Sequence, residues 1–288
     1  MNNSNYSPKN GYPEQHIRFS WDIHYSCNYR CPYCWFNAEW PNLVGSSLYL
    51  SPEEWIKAWN RIYNLYGEVY IDITGGEPLL YPDICQLLSQ LSALHKIRVT
   101  TNLSINKEAI TTLTNTLDNK RVGFDISFHP LFVTIDEFLD KAVILKEGGF
   151  CSHIQFVAYP PQFKMLSFYA NKVKQSGLSL GLTAFWGTHN NKCYPLNYDS
   201  NEKNILREYI VDVDRIAFNV KTVSSRGKMC YAGNRFVSIK GNGDVVPCGR
   251  SKRDEKIGNL LDKDFTLNDK PIPCPHDYCP CNDLYYEN

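Results

Sequence analysis

The stretch RFSWDIHYSCNYRCPYC, residues 18–34, decides the fold, because it runs a strand-like segment straight into three cysteines within eight positions. Its core phrase, Asp22-Ile23-His24, recurs as Asp72-Ile73-Thr74 and as Asp125-Ile126-Ser127. Alternation along a strand puts Asp22 with His24, Asp72 with Thr74, and Asp125 with Ser127 and His129 on one face each. Strands covered by helices on both sides of a sheet read as apolar on both faces. A polar stripe near the strand ends therefore predicts a lumen that holds a ligand, with Asp22, His24, Asp72, Asp125 and His129 as candidate contacts. An internal hydrogen-bond network is the competing reading of each one.

Outward from this stretch, strands and helices alternate. Strands are predicted at 18–25, 68–74, 97–102, 122–129, 153–159 and 178–185, and helices at 52–66, 82–95, 105–117, 134–148 and 163–176. The first helix has a full start signal, with Ser51 as N-cap, Pro52 at the first helical position and Glu54 closing a capping box. Gly148-Gly149 and Gly177 mark helix stops. Right-handed crossovers make this an α/β fold with a parallel sheet. A doubly wound open sheet shares the alternation; the polar stripe favours a partial (β/α)6 TIM-like barrel over residues 17–190. Residues 1–16 read as a flexible polar tail, and 191–228 as a connector with a helix in EKNILREYIVDV (202–213). The last segment, 229–288, is rich in turns and cysteines.

The chain has 288 residues and balances 30 basic against 30 acidic side chains, with no block of like charge. A dedicated nucleic-acid surface is disfavoured on that ground. Apolar runs are strand-length, so no membrane span is expected, and the polar start lacks a signal peptide's regions. A cytoplasmic location is expected. Eleven cysteines in such a chain argue for metal ligation over disulfides. Eight of them form two groups, 27/31/34 and 230/248/274/279/281.

Cys27, Cys31 and Cys34 follow the first strand, on the catalytic face of a parallel barrel. A structural zinc site takes four ligands, and His24 is available as a fourth. Three thiolates on a cubane iron–sulfur cluster instead leave one iron open to a substrate group. Cys-x3-Cys-x2-Cys with Tyr33 before its last cysteine resembles the signature of the radical S-adenosylmethionine (SAM) superfamily. Gly75-Gly76-Glu77-Pro78 resembles that superfamily's methionine-binding motif. The resemblance covers about residues 17–190 and implies that Cys27, Cys31 and Cys34 hold a [4Fe–4S] cluster whose fourth iron is chelated by SAM. It implies that Gly75 and Gly76 allow close backbone approach, that Glu77 accepts from the methionine amino group, and that Pro78 fixes the turn. The backbone around Tyr33 is expected near the adenine. Asn102, Ser127, His129 and, with capping as its alternative role, Thr101 are expected on the ribose and carboxylate. The implied chemistry is reductive cleavage of SAM to a 5′-deoxyadenosyl radical that abstracts hydrogen from a substrate.

CYAGNRFVSIKGNGDVVPC (230–248) reads as a hairpin turning at Asn242-Gly243, which brings Cys230 and Cys248 together. With Cys274, Cys279 and Cys281 it resembles the C-terminal auxiliary-cluster domain of radical SAM enzymes, SPASM or its shortened relative, twitch. Gly258-Asn259-Leu260 fits the same pattern. The resemblance implies a small hairpin-based iron–sulfur domain at 229–288 with one further [4Fe–4S] cluster, two of the last three cysteines completing it. Structural zinc, with His276 as a ligand, is the alternative for this group. Cys85 and Cys151 read as small hydrophobes in the core. Cys193, after the sixth strand, is a candidate hydrogen donor of the kind radical SAM epimerases need.

The expectation is a radical SAM oxidoreductase assisted by an auxiliary cluster, with an epimerase as the alternative and a zinc-stabilised, non-catalytic binding module as the alternative of another class. An electron donor such as flavodoxin or ferredoxin is the expected partner. A sixteen-residue tail is shorter than the leader-binding domain of peptide-modifying members. That favours a small-molecule substrate, or a peptide delivered by a separate protein.

Overall fold

The computed structural model describes residues 16–36, 39–151, 153–209, 224–252 and 255–277. Six parallel strands follow one another across a sheet in chain order: β1 (Arg18–His24), β2 (Tyr70–Gly75), β3 (Lys96–Thr101), β4 (Val122–Ser127), β5 (His153–Ala158) and β6 (Ser179–Ala184). A short α1 (Trp40–Leu43) and then α2 (Pro52–Tyr66) lie between β1 and β2. The later crossovers are α3 (Ile84–Ser92), α4 (Lys107–Thr116), α5 (Ile135–Glu147) and α6 (Leu166–Gln175). This is the expected α/β fold, a partial (β/α)6 TIM-like barrel.

Local chemistry sets the boundaries. The Ser51 hydroxyl accepts from the Glu54 amide while the Glu54 carboxylate accepts from the Ser51 amide, and Pro52 opens α2. Thr134 and Glu137 repeat that capping box at α5. Gly149 and Gly177 adopt φ of 78° and 71°, the left-handed geometry that ends a helix.

The two faces of the sheet differ as the sequence predicts. Phe19, Trp21 and Ile23 of β1 are fully buried under α2, where the Trp21 and Trp55 rings meet edge to face at 4.8 Å and Phe19 meets Trp59 at 5.3 Å. Burying side chains of this size contributes roughly 2–3 kcal/mol each. On the concave face, however, the three carboxylates are taken by neighbours. Arg18 pairs with Asp72. Arg98 grips Asp125 in a fork, with bonds of 2.6 and 2.7 Å. Asp22 accepts from Tyr25 Oη at 3.1 Å and faces Lys240 Nζ at 3.7 Å. The expectation of Asp22, Asp72 and Asp125 as ligand contacts therefore gives way to the internal network, because a desolvated carboxylate needs a cation or donor beside it.

The C-terminal hairpin extends this sheet. β10 (Phe236–Ile239) pairs parallel to β1, with Arg18 opposite Phe236 and Trp21 opposite Ile239. β11 (Asp244–Val246) and β12 (Gly258–Asn259) follow antiparallel, making nine strands. Val237, Ile239, Val245, Leu260, Phe265 and Leu267 join the main core. Arg61 of α2 donates to the carbonyls of Leu260 and Phe265, both at 2.7 Å, and Tyr66 Oη accepts from the Leu267 amide at 2.8 Å. Between barrel and hairpin stand a small ribbon, β7 (Gly187–His189) with β8 (Lys192–Tyr194), and α7 (Ser200–Arg207). β9 (Met229–Cys230) pairs with β13 (Ile272–Pro273). Among the described residues no helix is long and apolar enough to cross a membrane. Residues 1–15 of the expected tail, and Cys279 and Cys281, lie outside the described residues.

Candidate functional site

At the carboxyl ends of the strands, the loop after β1 and the turn after β2 are stitched together. The Gly76 amide donates to His24 O at 2.7 Å and the Glu77 amide to Ser26 O at 2.9 Å. His24 Nε2 lies 2.9 Å from Glu77 O, so His24 holds the turn and does not face the lumen. A Cβ on Gly75 would stand 2.2 Å from His24 O, and one on Gly76 2.0 Å from Ser26 O. The close approach that these glycines permit is thus to the protein's own β1 exit. Pro78 opens the tight turn Pro78–Leu80, capped by Glu77.

Beside this turn is a cavity of ≈ 280 Å³. The thiols of Cys27, Cys31 and Cys34 line one side. Gly75, Gly76, Glu77, Thr101, Asn102, Ser127 and His129 line it from the ends of β2, β3 and β4, with Tyr33 between them. Pro78 and Cys193 are not in the lining. Cys193 is exposed on β8, with its sulfur 3.7 Å from Thr188 Oγ1 across the ribbon. Asn102 Nδ2 approaches Cys27 Sγ at 3.7 Å, linking strand end and cysteine loop.

Burial governs the electrostatics. The Glu77 carboxylate is 1% exposed and accepts three hydrogen bonds, from Thr101 Oγ1 and the Asn102 amide at 2.6 Å each and from the Leu79 amide at 3.0 Å. Desolvation still outweighs those donors and pushes its pKa up to about 7. Sequence reasoning assigned Glu77 to a methionine amino group; in the structure it clamps the turn to β3. Thr101 is occupied by Glu77 and by capping, since its Oγ1 accepts from the Leu103 amide at 2.9 Å. His129, depressed to about 4 by burial, is neutral, and its Nδ1 lies 3.2 Å from Tyr33 Oη. Burial raises all three thiols, Cys31 to about 12, so their thiolates require a cationic partner. Among the described residues, no three His, Cys, Asp or Glu side chains are arranged to hold one metal ion.

The second cysteine group is also assembled. Cys230, Cys248 and Cys274 pack together around Ala232. His276 Nε2 lies 3.9 Å from Cys248 Sγ. Cys230 precedes β10 through a tight turn, and Cys248 follows β11, which runs antiparallel to β10. Both therefore sit at the end of the sheet where β1 begins, opposite the first group. Cys151, its thiol raised to about 12 by burial, and Cys85 pack against the core as small apolar groups.

Residues 22–128 match the family model of the radical SAM superfamily. This chain carries a radical SAM domain. A GTP 3′,8-cyclase from Klebsiella pneumoniae is 34% identical over 79 residues, 26% of this chain and 24% of the relative. Human molybdenum cofactor biosynthesis protein 1 is 27% identical over 187 residues, 51% of this chain and 29% of that protein. The chain thus spans about a quarter of the length of these curated relatives. Streptococcus suis SuiB bound to S-adenosylmethionine has the same fold, with a TM-score of 0.60 at 17% identity over 87% of this chain and 64% of that one. The structure of anSMEcpe with bound AdoMet gives 0.60 at 14% identity, covering 85% and 75%. A radical SAM domain implies SAM and a [4Fe–4S] cluster as its cofactors.

Two parts of the cavity escaped the sequence reading. Arg30 places its guanidinium 4.5 Å from the Trp40 ring centroid and donates to Cys27 O at 2.6 Å, bracing the cysteine loop. Thr100 and Thr183 join Thr74, already placed on the polar face, in the cavity lining. The strand alternation that marked Asp22 and Asp125 could have found them, since each is a polar residue near a strand's carboxyl end.

Proposed function

We propose that this protein is a radical SAM oxidoreductase that takes hydrogen from a small-molecule or peptide substrate with the help of an auxiliary cluster. One observation carries the reading: three thiols spaced Cys-x3-Cys-x2-Cys share a single cavity with the Gly-Gly-Glu-Pro turn and the ends of β3 and β4. The donor set fits a cluster, because buried thiols resist ionisation until a metal is present. Cys27, Cys31 and Cys34 would hold it, and the Gly75–Glu77 turn, Asn102, Ser127 and His129 would hold SAM. When bound, the pair supplies reductive cleavage of the sulfonium and a radical that removes hydrogen. The chain's own part is to brace the cysteine loop through Arg30 and Asn102, to fix the turn through Glu77 and His24, and to keep the site dry with Tyr33 and its neighbours.

Cys230, Cys248 and Cys274, with one of Cys279 and Cys281, would hold the auxiliary cluster. It would sit at the end of the sheet where β1 begins, away from the first group, and would serve as an electron acceptor there. Structural zinc is the second reading of that group, and the nearness of His276 to Cys248 is the contact it would use. Cys193, exposed and outside the cavity lining, gives the epimerase alternative no support. A flavodoxin or ferredoxin would supply the electron.

Cys31→Ala tests the catalytic reading. Wild-type protein reconstituted anaerobically should absorb at about 400 nm, carry about eight irons per chain, and release 5′-deoxyadenosine from SAM under reduction. The variant should release none. Retained cleavage would overturn the assignment of the first cysteine group.

A further inference from the structure

Trp35 follows the third cysteine directly and Trp186 comes just after β6, and both line the cavity. Their ring centroids are 6.0 Å apart with planes at 70°, an edge-to-face pair that spans two loops. Trp35 is 61% exposed. Beside the cysteine loop and paired with a second tryptophan, its open face is available to a ligand.

The charged groups of the same lining are already committed. Arg30 serves the carbonyls of Cys27 and Tyr29 and the face of Trp40. Glu77 accepts three donors. His129 is neutral and bonded to Tyr33. What the cavity still offers is ring faces and the hydroxyls of Thr74 and Thr100, since Thr183 donates to Gln155 Oε1 at 3.1 Å. A carboxylate or phosphate entering it would lose hydration and meet as its cation only Arg30, already held by two carbonyls and the Trp40 face, whereas a flat neutral ring would lose little.

We propose that the Trp35–Trp186 wall receives an uncharged planar ring carried by the substrate, an inference that rests on the radical SAM reading of this cavity. The ring lies on the open face of Trp35, and the hydroxyls of β2 and β3 meet its polar edge. An aromatic side chain and a nucleobase share this chemistry.

Tryptophan fluorescence of the reconstituted protein, titrated with and without saturating SAM, tests the proposal. The probes are N-acetylphenylalaninamide and adenosine, against their charged counterparts 3-phenylpropionate and AMP. A neutral ring should bind saturably in the presence of SAM, and its charged counterpart about ten-fold more weakly. Trp35→Ala should weaken ring binding about ten-fold, the loss expected for one stacked ring, and Trp35→Phe should restore it. The tighter of the two neutral probes identifies the source of the ring. Displacement by SAM, equal binding of the charged probes, or unchanged affinity in Trp35→Ala would each overturn the proposal. The readout is independent of SAM cleavage. Ring binding without 5′-deoxyadenosine formation would sink the radical SAM reading alone, and cleavage without ring binding would sink this inference alone.

Discussion

Replacing Gly76 by alanine perturbs the joint on which both halves of the site depend. The new Cβ would lie 2.0 Å from Ser26 O, about 1.4 Å inside the 3.4 Å at which ordinary contact begins, and 2.7 Å from the Tyr25 carbonyl carbon. All of these atoms are backbone, so no side chain can swing away. The turn and the β1 exit must separate, which breaks the bonds from Gly76 N to His24 O and from Glu77 N to Ser26 O. Overpacking costs about 1–3 kcal/mol and two backbone bonds about 1 kcal/mol each, so the expected loss is about 3–5 kcal/mol. At about 3 °C per kcal/mol for a chain of this size, Tm should fall by roughly 10 °C. Thermal unfolding of the metal-free protein measures this, with iron incorporation as a parallel readout. Gly45→Ala is the control, since nothing lies within 4 Å of its added Cβ. If Gly76→Ala melted within 2 °C of wild type, by the order of magnitude of a surface substitution, the claim that close approach dictates this glycine would be wrong.

Three other outcomes are expected. Glu77 is raised from 4.5 to about 7, so folding favours its protonated form. Its contribution to stability is full below pH 4.5 and lost as pH rises through 7, an effect of about 3 kcal/mol. The stability difference between wild type and Glu77→Gln should therefore drift across pH 4.5–8 in urea titrations, and parallel curves would refute it. Arg61→Ala removes two donors to the carbonyls of Leu260 and Phe265 and should cost about 2–4 kcal/mol; hydrogen exchange should quicken first around residues 258–268, and uniform quickening would argue against a local clasp. Cys248→Ala should lower iron from about eight to about four per chain. Zinc in the wild-type protein, lost in this variant, would select the second reading of that group.

The barrel was legible because its signals are local. Ser51-Pro52 and Glu54 start a helix within one turn of chain, and the Asp-Ile phrases mark strands by alternation alone. The polar lumen was legible as a face but not as a set of partners. Whether Asp72 meets a ligand or Arg18 depends on register between strands fifty residues apart, which single-strand periodicity does not encode. The β7–β8 ribbon went unread although Asn190-Asn191, with φ of 48° and 60°, is a recognisable hairpin turn. Gly75 and Gly76 read from sequence as a close-approach site for the methionine of SAM; the group the structure brings against them is the backbone at the exit of β1, a tertiary fact. Least legible was the pairing of β10 with β1, whose partners are more than two hundred residues apart.

That pairing has a consequence for biogenesis. A chain emerging from the ribosome completes β1 to β6 long before residue 236 exists, so the amino-terminal thiols can find their neighbours while synthesis continues. The carboxyl-terminal thiols are gathered only when β10 docks on the strand that began the protein, closing a very long loop. Metal loading should therefore proceed in order, with the first group competent early and the second only once the edge of the sheet has been sealed.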